Sequence, residues 1–143
     1  MNDPLGRTLA RQRIRRVLPH VRGRLLDVGC GANELVSAYR RRSAAGEEER
    51  TSLGVDVFPW EGVDQVVGDT RELPFEDGAF DTATVIAALN HIPYRAEALV
   101  EIHRVLRPGG RLIVTMIPPG ISRVWHLLRR PWDDDQSERG MEQ

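Results

Sequence analysis

The chain has 143 residues, the size of one domain, and 41% of them are hydrophobic, enough to build a core. A formal net charge of −1 excludes a strong overall pull toward nucleic acid or anionic membrane. No apolar run approaches the roughly 20 residues that span a bilayer, the first residues lack the apolar core of a secretory signal, and the single cysteine, Cys30, excludes an internal disulfide and suits the reducing cytoplasm.

In chain order, Leu9, Ala10, Ile14, Val17, Leu18 and Val21 recur at helical spacing until Pro19 closes the helix near Leu18. Seven arginines between Arg7 and Arg24 make this segment basic. Its expected role is a solvated face or a flap over a ligand mouth, with RNA or acidic lipid as the alternative. Residues 24–28 read as a buried strand and residues 33–42 as a helix with Leu35, Val36 and Tyr39 on one side. A polar connection (43–50) leads to a second strand (52–58) and a short third one (64–69). A loop (70–78) precedes a fourth strand within 79–89. Residues 95–106 form a helix with Ala98, Leu99, Ile102, Val105 and Leu106 on one face. Pro-Gly-Gly at 108–110 forces a turn before a fifth strand at 111–117, one more helix is expected at 121–130, and the polar tail 131–143 reads as flexible. The whole is one domain, residues 1–143, with a basic N-terminal helix (1–22) and a core at 24–117.

Strands mostly separated by helical segments imply an α/β fold with a parallel sheet and right-handed crossovers. Ligands of such sheets bind beyond the carboxyl ends of the strands. There the chain reads Asp-Val-Gly-Cys-Gly-Ala-Asn (27–33). The dinucleotide pattern G-x-G-x-x-G accounts for Gly29 and Gly31, but its third glycine falls on Glu34. Asp27 before the loop opposes a pyrophosphate and suits an ammonium group. An NAD-dependent reductase is therefore the disfavoured reading.

The segment LLDVGCGAN resembles the first motif of the class I S-adenosylmethionine-dependent methyltransferases, small-molecule branch, with Asn33 in place of the commoner glycine. The resemblance continues in order through GVDVF, GDTRELPFEDGAFD, LNHI and EIHRVLRPGGRLIVT, over residues 24–116. It implies an α/β, Rossmann-like, doubly wound, mostly parallel sheet of five strands in order 3-2-1-4-5 flanked by helices, S-adenosyl-L-methionine as cofactor and in-line methyl transfer to a small-molecule acceptor, with a non-catalytic cofactor-binding module as the alternative. By this resemblance the cofactor site comprises Asp27, Gly29, Cys30, Gly31 and Asn33 around the methionine end. Asp56, Val57 and Phe58 fall at the ribose and adenine, Asp69, Thr70 and Arg71 at the adenine edge, and the backbone at Ile86 at the methionine end. The residues agree with that chemistry: a carboxylate such as Asp56 accepts from two ribose hydroxyls at once. The plainer alternatives are a turn role for Asp56 and Asp69, a core position for Phe58, and a small loop residue in Cys30 rather than a reactive thiolate. Asp81 is expected to be structural.

His91 follows the fourth strand and is the candidate general base; Tyr94 is the candidate acceptor contact. No metal is expected, since the aspartates at 133–135 have no His or Cys partners. The family's sheet normally has seven strands, and five are legible here. An apolar fifth strand at the sheet border invites antiparallel pairing with a second copy, a homodimer. No nucleic acid and no membrane span are expected.

Overall fold

The structure, a computed structural model, describes residues 4–42 and 46–117. The expected helix at 121–130, the tail at 131–143 and the aspartates at 133–135 lie outside the described residues.

The adjacent residues Leu25 and Leu26 show how the layers are made. In an extended chain they point to opposite faces, and both are fully buried. The strand they begin, β1 (Leu25–Val28), is buried at every position, as expected of a central parallel strand. On one face Leu25 joins Leu35, Val36 and Tyr39 of α2 (Glu34–Arg40) and Val17 of α1 (Pro4–Val17). On the other, Leu26 and Val28 join Val55 of β2 (Leu53–Asp56), Ala83 and Val85 of β4 (Phe80–Ile86), and Ala98, Ile102 and Val105 of α4 (Arg95–Val105). Each Val, Leu or Ile among them contributes roughly 1.5–3 kcal/mol on burial.

With β3 (Gln65–Val66) and β5 (Leu106–Thr115) the sheet has five parallel strands in order β3-β2-β1-β4-β5. This is the order expected from the sequence. The order reverses between β1 and β4, and that switch point fixes where a ligand can sit.

Several expectations need correction. The third strand ends at Val66, so Asp69 lies three residues beyond it, in the following loop. The connection at 43–50 contains a short helix, α3 (Glu47–Arg50), started by the Glu49 carboxylate accepting from Gly46 N–H at 2.8 Å. Leu106 does not extend the helix face of α4; its backbone is extended (ψ 135°) and it opens β5. Pro-Gly-Gly therefore lies inside β5 rather than before it. Phe80 pairs with Leu106, but the next pair is Thr82 with Arg111, so the intervening β5 residues bulge out. Pro108 has no N–H to lose from the ladder, which suits a bulge. Asp81 staples the bulge, accepting from Arg24 N–H at 2.6 Å and pairing with Arg107 Nε at 2.6 Å. Its structural role is thus visible.

The loop before β4 is held by Arg104. Its guanidinium donates to Leu73 O and Phe75 O and pairs with Glu101 and Asp77, both at 2.7 Å. Among the described residues β5 pairs only with β4.

Candidate functional site

At the carboxyl end of β1 the backbone turns through Gly29 (φ +73°) and Gly31 (φ +52°), both left-handed. At Gly29 a Cβ would also meet Ala88 Cβ at 2.7 Å; at Gly31 it would meet nothing within 4 Å. Gly31 thus borders open space, and only glycine holds that turn without strain.

Asp27 sits just before this loop, 2% exposed. Its Oδ1 accepts from the Thr84 hydroxyl at 2.6 Å, and Thr84 stands directly opposite it on β4. Burial pushes the Asp27 carboxyl up to about 7, the Thr84 hydroxyl pulls it back, and the Asp56 charge adds to the rise. No described cation compensates it.

Asp56 closes β2 and is largely buried. Its Oδ2 accepts from Gly31 N–H at 2.9 Å and its Oδ1 from Phe58 N–H at 3.1 Å. The carboxylate thus joins the glycine loop to the loop after β2. The turn role weighed for this residue is present, and it places the acid at the mouth. Val57 and Phe58 beyond it are exposed, so Phe58 is not a core residue; its ring meets Trp60 edge to face at 6.1 Å.

Asn33 adopts the left-handed conformation (φ 57°) that makes a glycine common there. Its side chain is buried and turned away from the mouth, donating to Gly62 O at 3.0 Å and Asp64 Oδ2 at 2.8 Å. Asp64 also accepts from Gly54 N–H and pairs with Arg40 at 2.9 Å. Burial works against its charge, but Arg40, Gly54 N–H and Asn33 outweigh it and hold the carboxyl low. Cys30 is half-buried; burial and then Asp27, Asp56 and Asp64 push its thiol up to about 12. That is the opposite of a reactive thiolate.

Asp69 accepts from Arg71 N–H at 2.8 Å in an Asx turn and pairs with the Arg71 guanidinium at 2.6 Å. That guanidinium holds its carboxyl below the usual range. Arg71 in turn stacks on the Tyr94 ring, 4.3 Å from its centroid. Thr70 is buried. Ile86 ends β4, followed by Ala87 in a left-handed conformation (φ 53°). His91 is exposed in the single 3-10 turn Leu89–His91 after β4, and Tyr94 is exposed at the start of α4. Asp27, the loop 29–31 and Asp56 are thus joined around one point, while Asp69, Arg71 and Tyr94 form a second group linked through Arg71.

Sequence reasoning missed Thr84 and Asp64. For Thr84 the signal was available: Thr82 and Thr84 alternate with Ala83 and Val85 along the strand, and both are buried on one face. Asp64 carried none, being one acid among many.

A parallel sheet with this order, a left-handed glycine loop after its first strand and carboxylates closing β1 and β2 define a Rossmann-like ligand-binding domain of methyltransferase type. The chain belongs to the methyltransferase domain family, whose pattern it matches over residues 26–114; the reductase alternative falls with that. It is 31% identical over 121 residues to the ubiquinone/menaquinone biosynthesis C-methyltransferase UbiE of Burkholderia mallei, a match covering 78% of this chain and 48% of the relative. The chain therefore spans about half the length of the curated relatives it matches. Among solved structures it is similar to the [4+2]-cyclase SpnF (29% identity, TM-score 0.63, 76% of this chain and 45% of that one). It is also similar to the PH0226 protein from Pyrococcus horikoshii (26% identity, TM-score 0.61, 82% and 63%). The geranyl diphosphate C-methyltransferase from Streptomyces coelicolor, solved with S-adenosyl-L-homocysteine, shares the fold at 18% identity (TM-score 0.63, 76% and 46%). No described helix is long and apolar enough to cross a membrane.

Proposed function

We propose that this chain binds S-adenosylmethionine and transfers its methyl group to a carbon of a small-molecule acceptor, in the cytoplasm. One observation carries the reading: a buried carboxylate without a cation, an open left-handed glycine loop and a second carboxylate converge at the switch point of the sheet. That set fits this cofactor. Asp27 answers an ammonium, Gly29 and Gly31 leave room for the methionine end beside Cys30 and the Ile86 backbone, and Asp56 answers a ribose diol. Phe58 and Val57 offer an apolar face, with Asp69, Thr70 and Arg71 along the adenine edge.

S-adenosylmethionine supplies a methyl group already activated by its sulfonium. The chain's part is to orient two reactants and exclude water, and orientation alone supplies roughly 7–11 kcal/mol. The name of the UbiE relatives supports a carbon acceptor, which must lose a proton; His91 is the group available to take it, and Tyr94 to contact the acceptor. The likeness to a [4+2]-cyclase favours one second reading, a domain of this family that does not methylate.

Calorimetry of the whole chain decides the first step. S-adenosylhomocysteine is expected to bind with micromolar affinity, about −8 kcal/mol, and more tightly than NAD; the reverse order refutes the assignment. Methyl transfer to a panel of quinone-precursor and isoprenoid acceptors then separates the two readings.

A further inference from the structure

Residues 4–26 contain seven arginines and no acidic residue. Five of the arginines lie on α1, and none of them enters an ion pair among the described residues. Val17 is buried and Ile14 packs against the same cluster, so one face of α1 is spent on the core. Along one flank of that face Arg7, Arg11 and Arg15 follow at intervals of four, which lines them up in a row about 12 Å long. All three are exposed, as is Arg16. Four described arginines outside α1, namely Arg40, Arg71, Arg104 and Arg107, are neutralised by carboxylates. What sets α1 apart is that five arginines share one helix with no acidic residue beside them.

The placement of α1 gives the row a direction. The segment after it is pinned near the amino ends of the strands: Arg22 N–H donates to Thr82 Oγ1 at 3.1 Å, and Arg111 donates to His20 O at 2.9 Å. Read backwards from there, the helix lies against a cluster that includes Ile86, the last residue of β4. Arg7 therefore leads toward the carboxyl ends of the strands, the end that holds the mouth. That end also carries exposed apolar side chains: Trp60 after β2 (54% exposed), Tyr94 before α4 (61%) and Met116 after β5 (55%).

We propose that the arginine row of α1 and the apolar rim formed by Trp60, Tyr94 and Met116 dock this domain on an anionic membrane surface, mouth toward the lipid. Cationic side chains supply attraction to lipid phosphate, and Trp and Tyr are the residues that settle at the headgroup level. A nucleic acid strand fits less well. Its sites interleave stacking rings with the cations, whereas the side chains beside the arginine row are Thr8 and Gln12. Docking does not depend on the methyl-transfer reading.

Co-sedimentation of the full chain with vesicles tests it. Vesicles with about a third phosphatidylglycerol are expected to carry the protein down at low salt, vesicles of phosphatidylcholine alone are not, and about 0.5 M salt releases it. The triple variant Arg7→Gln/Arg11→Gln/Arg15→Gln is expected to lose roughly a hundredfold in partitioning, at about tenfold or less per arginine. Trp60→Ser weakens it further at constant charge. S-adenosylhomocysteine affinity reports folding: the triple variant keeps the wild-type value. If neither protein binds that ligand, unchanged circular-dichroism melts report folding instead, and the cofactor reading fails without touching this one. Equal binding to both vesicle types, wild-type partitioning of the triple variant, or displacement from vesicles by oligouridylate at equal phosphate overturns the proposal.

Discussion

Asp27→Asn exchanges a buried charge for an amide of the same shape. In the wild type, burial raises the Asp27 carboxyl from 3.8 to about 7. Between those values the folded protein holds a proton that the unfolded chain has released, so stability falls as pH rises through the window. The full penalty is present above about pH 7. At about 1.4 kcal/mol per pH unit, the gap of about three units amounts to roughly 4 kcal/mol. The asparagine oxygen still accepts from Thr84, while its new N–H₂ adds a pH-independent cost of about 1–3 kcal/mol if unpartnered. The quantity to read is therefore the slope. Urea unfolding of both proteins at pH 5, 6, 7 and 8 is expected to show the variant gaining on the wild type by some 2–4 kcal/mol across the series. S-adenosylhomocysteine affinity should behave oppositely. In the wild type it weakens up to about tenfold per unit below pH 7, where an ammonium must displace a proton, and in the variant it is weak and flat. Parallel stability curves for the two proteins would refute the account of a buried, strained carboxylate.

Thr84→Val removes the hydroxyl that holds Asp27 down; the pH midpoint of cofactor binding should move upward, and an unmoved midpoint would mean that Thr84 only packs. Asp56→Ala should weaken S-adenosylhomocysteine by about 1.5–3 kcal/mol per charged hydrogen bond lost, whereas Asp81→Ala, which frees Arg24 N–H and Arg107, should lower the melting temperature and leave affinity unchanged; calorimetry and thermal melts separate the two. A Cβ at Gly31 meets nothing within 4 Å, so the expected loss of binding in Gly31→Val comes from left-handed strain and from filling open space, and wild-type affinity would show that the ligand lies elsewhere. At roughly 100 μM, sedimentation should find a dimer if copies of β5 pair edge to edge; a clean monomer with fast amide exchange at 112–116 would dismiss that pairing.

The order of the strands was implied by the family resemblance, since no local pattern encodes it. The strands and helices themselves were legible because alternation and turns are local properties: Leu25 and Leu26, or Ala98 and Ile102, declare their faces within a few residues. The glycine loop and its two carboxylates were legible for the same reason, since a strand end and a left-handed turn are written in consecutive letters. What failed were statements about partners. That Asp27 rests on Thr84 depends on the register between strands 57 residues apart, which no local pattern encodes. That Asn33 turns inward depends on Gly62 and Asp64, about 30 residues on. Pro-Gly-Gly reads as a boundary because a turn and a large bulge use the same residues; only the pairing of Leu106 with Phe80 tells them apart.

The inward turn of Asn33 ties the histories of two positions together. A Cβ placed on Gly54 would lie 1.9 Å from Asn33 Oδ1, an impossible overlap. While asparagine occupies 33, position 54 cannot drift away from glycine, although it lies in a strand where branched side chains are otherwise favoured. The constraint is epistatic. Replacing Asn33 by glycine would give up its bonds to Gly62 and Asp64 and remove the larger obstacle at 54, leaving the Cys30 Cβ at 3.0 Å as the contact an alanine there must still meet. A descendant lineage that regains the commoner glycine at 33 should therefore accept alanine at 54 more readily than one that keeps asparagine.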